Sequence, residues 1–156
     1  MVRVTKLTDY GVGLMAHLAR RPGEEIATAP ELAGQLQLPL PTVRKILKIL
    51  AKEKLLVSIR GASGGYRLAK NPGDVTLMEM VAALEGPLAL TECATGDPCD
   101  CDRLDVCGLR DNWSMVNSLM QRTLENYTLE QMAGSLSDPA ANHDLQDLQA
   151  SFQGRS

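Results

Sequence analysis

Apolar residues at steps of three and four predict three helices in the first third of the chain. The first is expected over residues 8–20, with Thr8 as its N-cap. Thr28 and Glu31 have the spacing of a capping box, which predicts the start of a short second helix. A tight turn follows, and Pro41 suits the first turn of a third helix.

The third predicted helix has two contrasting faces. Its apolar stripe consists of Val43, Ile46, Leu47 and Leu50. Its opposite face carries hydroxyl and cationic side chains, namely Thr42, Arg44, Lys45, Lys48 and Lys52. A short helix, a tight turn and a cationic amphipathic helix in succession are typical of a helix-turn-helix motif.

A β-hairpin is predicted next, with strands over residues 56–60 and 66–69 on either side of a glycine-rich tip. Arg60 and Arg67 lie beside this tip, where a guanidinium can enter a minor groove or bind a phosphate. The hairpin therefore favours a winged helix-turn-helix over a solvated basic helix. The predicted DNA contacts are Thr28, Thr42, Arg44, Lys45, Lys48, Arg60, Ser63, Tyr66 and Arg67.

Charge is distributed unevenly along the chain. Residues 1–72 contain 12 Lys and Arg against 5 Asp and Glu, whereas residues 73–156 contain 4 against 14. A basic first half on an acidic chain is typical of a module that binds a polyanion, since phosphate contacts need clustered cations. Double-stranded DNA is the partner that this pattern favours.

A mainly α fold with a small β-hairpin wing is expected, because aromatic residues are only 3% of the chain. Thr76 and Glu79 form a second capping box and open a fourth helix that ends at Gly86. We therefore expect a winged DNA-binding domain over residues 1–86.

A long helix is predicted between Gly108 and Asn126 by a single apolar stripe. The stripe consists of Leu109, Trp113, Val116, Met120, Leu124 and Tyr127. We expect it to pack against a second copy of the chain, so that residues 109–133 form a dimerisation segment and the protein is a homodimer. Residues 128–133 add a further turn, and residues 134–156 are expected to form a disordered tail because they lack apolar periodicity.

All four cysteines lie in the polar segment over residues 87–108, at Cys93, Cys99, Cys101 and Cys107. Acidic residues between them repel thiolate charge, so a bound cation or cluster is the natural way to hold several thiolates together. Structural zinc, free thiols and a regulatory disulfide, most readily between Cys99 and Cys101, remain alternatives. A metal centre is favoured.

Several other functions are disfavoured by the sequence. The chain has two histidines, no phosphate-binding glycine loop and no metalloprotease helix, so no enzyme and no small-molecule substrate are expected. A thiol oxidoreductase would require a C-x-x-C motif, which is absent. No signal peptide or membrane-spanning stretch is apparent, so a cytoplasmic protein without membrane contact is expected. Of the histidines, His17 is expected to be a packed helix residue rather than a ligand, and His143 also lies outside the predicted site.

These residues resemble the Rrf-type winged-helix transcriptional regulators, a family that includes iron-sulfur and nitric oxide sensors. The resemblance covers about residues 1–133, and its cysteine region looks most like the branch that controls SUF iron-sulfur assembly genes. It rests on Leu7-Thr8-Asp9-Tyr10, on the sequence from Leu55 to Gly61, on Gly64-Gly65-Tyr66, on the sequence from Leu90 to Cys93, on Cys107 and on Asn112-Trp113.

The resemblance implies a repressor that binds an iron-sulfur cluster, [2Fe-2S] rather than [4Fe-4S]. By this resemblance, the start of the third predicted helix would read the major groove, and Arg60 would read the minor groove. Cys93 and Cys107 match two of the three cysteine ligands, and either Cys99 or Cys101 matches the third. The fourth ligand would be the extra cysteine or Asp9 of the other subunit, since some relatives have a histidine where this chain has Arg110, which cannot ligate.

Overall fold

The computed structural model describes residues 3–21, 25–91 and 107–134. Within these ranges it is mainly helical, with one two-stranded antiparallel sheet, as expected from the sequence. In chain order the elements are α1 (Lys6–Ala19), α2 (Ala29–Leu36), α3 (Leu40–Lys52), β1 (Leu56–Ile59), β2 (Gly65–Leu68), a 3-10 turn (Pro72–Asp74), α4 (Leu77–Glu85), α5 (Arg110–Glu125) and α6 (Leu129–Ala133). In the described ranges, no helix combines the length and the apolar character needed to cross a bilayer.

The first helix starts earlier than the sequence predicts. Thr5, not Thr8, is the N-cap, because its backbone is extended and its hydroxyl oxygen accepts the amide of Thr8. Thr8 lies inside α1, is fully buried and donates its own hydroxyl to Glu85. The prediction of Thr8 as N-cap was wrong, because the tertiary partner of this hydroxyl is not visible in the local sequence.

The helix-turn-helix forms as the local signals predict. The capping box of Thr28 and Glu31 is complete, since each side chain accepts the other residue's amide. Gln37 ends α2 in the left-handed conformation, with φ of 53°. The turn is therefore tight, and α3 begins at Leu40 with Pro41 in its first turn. The predicted apolar stripe of α3 is fully buried, namely Val43, Ile46, Leu47 and Leu50.

The hairpin pairs Leu56 with Leu68 and Ile59 with Gly65. Each strand ends one residue before its predicted carboxyl end. A third segment joins this sheet, because the amide and the carbonyl of Ala27 both bond to Tyr66, at 2.9 and 2.8 Å. The wing is thereby attached to the residue that precedes the capping threonine of α2. Its orientation relative to the helix-turn-helix is fixed by backbone hydrogen bonds.

The last described helix returns to the winged core. Leu129 in α6 is fully buried, and its amide donates to the carbonyl of Val75 at 2.7 Å. The carbonyl of Tyr127 likewise accepts the amide of Leu77, at the start of α4. The predicted segment of residues 109–133 thus contains two helices, and the second of them packs against α1.

Candidate nucleic-acid interface and metal-binding loop

The outward face of α3 presents exposed cations. Arg44, Lys45 and Lys48 are all exposed, whereas Thr42 is half-buried in the first turn. In the part of the chain that the structure describes, no hydrogen bond or ion pair engages the side chains of these three cations. They are therefore available to bind phosphates or base edges, as predicted for a recognition helix.

The tip of the wing adds a further exposed cation. Arg60 directly follows β1, and both Arg60 and Ser63 are exposed. The turn is tight, because the amide of Gly64 donates to the carbonyl of Gly61 at 3.0 Å and Gly61 has a φ of 114°. This conformation favours glycine, and it keeps Arg60 beside a compact tip.

Three other predicted DNA contacts have additional structural roles. Thr28 is exposed, but its hydroxyl caps α2. Tyr66 packs partly against the hydrophobic core. Arg67 is half-buried in a groove that is also lined by Arg21 and Lys70. The structure therefore brings Arg44, Lys45, Lys48, Arg60 and Ser63 to the exposed surface more fully than the other predicted contacts.

A polar network fixes α2 against α1. Arg21 forms a salt bridge with Glu31, and its guanidinium also donates to Gln35 at 2.7 Å. The hydrogen bond from Arg21 lowers the pKa of the Glu31 carboxyl below its ordinary value. His17 joins the same network through Nε2, 2.8 Å from the Gln35 side-chain oxygen. The network therefore ties the helix-turn-helix to α1.

Of the four predicted cysteine ligands, the structure describes Cys107. It is a free, half-buried thiol, and its carbonyl accepts the amide of Arg110 at the start of α5. Asp9 is exposed in the first turn of α1. Cys93, Cys99 and Cys101 lie outside the described residues, and among the described ones no three His, Cys, Asp or Glu side chains cluster as a metal site.

The segment that leads toward Cys93 is held on α5 by two amide side chains. The backbone amide of Leu90 donates to Asn117 Oδ1 at 3.1 Å. One turn further along α5, Gln121 Nε2 donates to the carbonyl of Leu88, also at 3.1 Å. Sequence reasoning missed both residues, although two amides four positions apart share one helix face and could have suggested a common role.

The apolar face of α5 is only partly covered. Leu109, Trp113 and Val116 are 58%, 42% and 46% exposed, whereas Met120, Leu124 and Tyr127 are half-buried. Two further exposed apolar residues, Met115 and Leu119, extend this face and were not among the predicted dimer contacts. Their spacing of four residues was the available signal.

Comparison with known proteins identifies the family of this chain. Residues 4–135 match the Rrf2 family, described as an iron-dependent transcriptional regulator. An rrf2-like HTH-type transcriptional regulator of Rhodobacter capsulatus is 34% identical over an alignment of 145 positions, and the match covers 88% of this chain and 96% of that relative. The HTH-type transcriptional regulator NsrR of Halalkalibacterium halodurans is 29% identical over 84% of this chain and 90% of its own length.

A solved structure supports the same assignment. The structure of CymR, the global cysteine regulator of B. subtilis, is similar to this chain with a TM-score of 0.67 and 27% identity. The match covers 85% of this chain and 97% of CymR. The chain therefore belongs to the Rrf2 family, whose members are DNA-binding transcriptional regulators and not enzymes.

Proposed function

We propose that this protein is a cytoplasmic, iron-sulfur-cluster-dependent repressor that binds a DNA operator as a homodimer and controls iron-sulfur assembly genes such as a SUF operon. The observation that carries the DNA-binding part is the exposed cationic face of α3 next to the tip of the wing. The cysteine-rich segment between α4 and α5, residues 87–108, supports the sensing part, and it is called the cysteine loop below. Its sequence resembles that of the iron-sulfur regulators within the same family.

DNA recognition is assigned to two elements. The first turns of α3 enter the major groove, where Arg44 and Lys45 can donate to base edges and Lys48 can neutralise phosphate. Arg60 enters the adjacent minor groove, whose negative potential attracts a guanidinium. The remaining predicted contacts, Thr28, Thr42, Ser63, Tyr66 and Arg67, border these two elements.

Alanine substitutions test the DNA interface. Lys45→Ala and Arg60→Ala should each weaken binding to an operator duplex about 10-fold and reduce the salt slope by about one. Arg122→Ala is the matched control, since Arg122 is an exposed cation on α5 and should leave affinity unchanged. Fluorescence anisotropy across a salt series measures these effects. Equal affinities for all three variants would contradict the proposed interface.

Dimerisation is assigned to the exposed apolar face of α5. Trp113, Val116 and Leu119 lie on one long helix and are all more than two-fifths exposed in the protomer. A contiguous apolar surface of this kind favours burial against another protein surface. A second copy presents the same face, so α5 can pair with its twin in an isologous interface.

The donor set fits an iron-sulfur cluster. Four thiols within one short segment supply the soft ligands that iron-sulfur centres prefer. Cys93 and Cys107 would hold the cluster together with Cys99 or Cys101, and the remaining cysteine or Asp9 of the other subunit would complete the set. A bound cluster supplies redox and gas-reactive chemistry. Cys107 immediately precedes the turn that starts α5, so its ligation would connect the loop to the dimer helix.

Anaerobic purification with iron and sulfide analysis tests the cluster. We expect both elements in stoichiometric amounts, and Cys107→Ser should abolish their retention. Of Cys99→Ser and Cys101→Ser, only one should do so if a single one of these residues is a ligand. Stoichiometric zinc without sulfide would overturn the cluster and support a zinc-stabilised regulator instead.

A further inference from the structure

Asn117 is a buried polar residue in the middle of α5. It is 4% exposed, and its Oδ1 accepts the amide of Leu90. A buried polar group requires a partner of this kind, because leaving it unsatisfied costs the full penalty of its desolvation. Gln121 lies one turn later and donates to the carbonyl of Leu88. The two amides therefore bind two alternate residues of the same stretch of chain after α4.

Both ends of the cysteine loop are consequently attached to one helix. Cys107 is joined to the start of α5 by the hydrogen bond from Arg110 to its carbonyl. Leu90, three residues before Cys93, is bound at Asn117. Asn117 is eight residues beyond the N-cap Leu109, which corresponds to about 12 Å along the helix axis. A single rigid element therefore sets the relative positions of the two flanks of the loop.

We propose that Asn117 and Gln121 form an amide clamp that positions the thiols of the cysteine loop for a metal centre. This inference rests on the proposed function, because it concerns the same loop. Gathering several thiols of one chain around a metal centre costs conformational entropy, and fixing both flanks of the segment that carries them reduces that cost. The clamp also makes α5 sensitive to the state of the loop, since Leu88 and Leu90 cannot shift without breaking its hydrogen bonds.

The two contacts have opposite polarity, which provides a sharp test. Asn117 acts as an acceptor, so Asn117→Asp retains the contact with Leu90 and Asn117→Leu removes it. Gln121 acts as a donor, so Gln121→Lys retains a donor for the Leu88 carbonyl, whereas Gln121→Glu removes it and adds repulsion. Gln121 is only half-buried, so both of its variants should fold even if the buried Asn117→Leu does not.

Two measurements on the full chain test whether the amide clamp holds the cysteine loop. In the metal-free protein, amide hydrogen exchange at Leu90 should accelerate at least about 10-fold in Asn117→Leu and remain slow in Asn117→Asp. After anaerobic reconstitution with ferrous iron and sulfide, the rate of iron loss to a chelator should rise about 10-fold in Asn117→Leu and Gln121→Glu. Asn117→Asp and Gln121→Lys should stay close to wild type.

The outcomes separate this inference from the proposed function. Wild-type protein that takes up no iron and no sulfide would overturn the proposed function and, with it, the inference. Wild-type protein that holds its cluster, while Gln121→Glu and Gln121→Lys release iron at equal rates, would overturn the clamp alone. Slow Leu90 exchange in Asn117→Leu would also overturn it.

Discussion

Thr8 donates its hydroxyl to Glu85 Oε1 at 2.6 Å, and this bond joins the first half of α1 to the last residue of α4. The same carboxylate oxygen accepts the backbone amide of Thr5 at 2.9 Å. A negative charge is favourable at this end of α1, because the helix dipole is positive there. Glu85 therefore joins α4 to the start of α1 at the end of the winged DNA-binding domain, the winged head, just before the chain continues toward the cysteines.

Removing the Thr8 hydroxyl should destabilise the fold. Thr8→Val keeps the shape of a fully buried side chain but removes one donor to the Glu85 carboxylate and leaves the Thr5 amide in place. Glu85 is exposed, and water can replace the lost partner, so we expect a loss of about 1 kcal/mol in the free energy of unfolding. Urea denaturation measures it. Thr123→Val, which removes an exposed hydroxyl bonded within α5, should change stability by much less.

Stability should fall on acidification through the same contact. The hydrogen bonds from the Thr8 hydroxyl and from Thr5 lower the pKa of Glu85 in the folded state. A depressed carboxyl pKa stabilises the fold above the unfolded value of about 4.3, and this stabilisation is lost as pH falls through the folded pKa. Urea midpoints measured between about pH 3 and pH 6 should decline toward acid, less steeply in Thr8→Val. Identical slopes would contradict this role.

Local signals predicted the elements of the winged head well. The capping boxes at Thr28 and Thr76 are complete in the structure, because each depends on residues three positions apart. The N-cap of α1 was misplaced at Thr8, whose partner Glu85 is 77 residues away. Hydrogen bonds between residues so far apart in sequence depend on tertiary packing, and the spacing of apolar residues within one helix does not reveal them.

The long helix illustrates the same limit. Its apolar stripe was predicted as one surface, yet Trp113 is exposed while Met120 and Leu124 are half-buried. Because α4 packs against α5, part of the α5 surface is covered within the protomer. Asn117 was missed because its partner is a backbone amide 27 residues earlier, and a search for apolar periodicity passes over it.

Two glycine substitutions should have opposite effects on stability. A Cβ at Gly65 would lie 2.5 Å from the carbonyl oxygen of Ala27 and 2.7 Å from Ile26 Cγ2, so Gly65→Ala must push the wing away from the strand-like segment beside it. We expect a loss of about 1–3 kcal/mol in unfolding free energy. Gly34→Ala meets no atom within 4 Å in α2 and should stabilise by about 0.5–1 kcal/mol. Thermal and urea unfolding of both variants checks these signs.

A charge on the exposed face of α5 should prevent formation of the proposed dimer without harming the protomer. Leu119 is 56% exposed, so Leu119→Glu leaves the packing within one protomer intact, yet it would bury an unpaired carboxylate between two copies. We expect monomers at micromolar concentration by analytical ultracentrifugation, with a secondary-structure content equal to that of wild type. Ser118→Glu adds the same charge at the neighbouring exposed position and should remain dimeric.

The loss of the dimer should in turn weaken operator binding. Two linked winged heads bind a two-fold symmetric site together, so the second head binds at a high effective concentration, whereas a monomer has only its own contacts. Leu119→Glu should therefore bind a single half-site as well as wild type does but lose affinity for the full operator. Full-operator affinity equal to that of Ser118→Glu would show that α5 does not join the two heads, and the apolar face would then require a different partner.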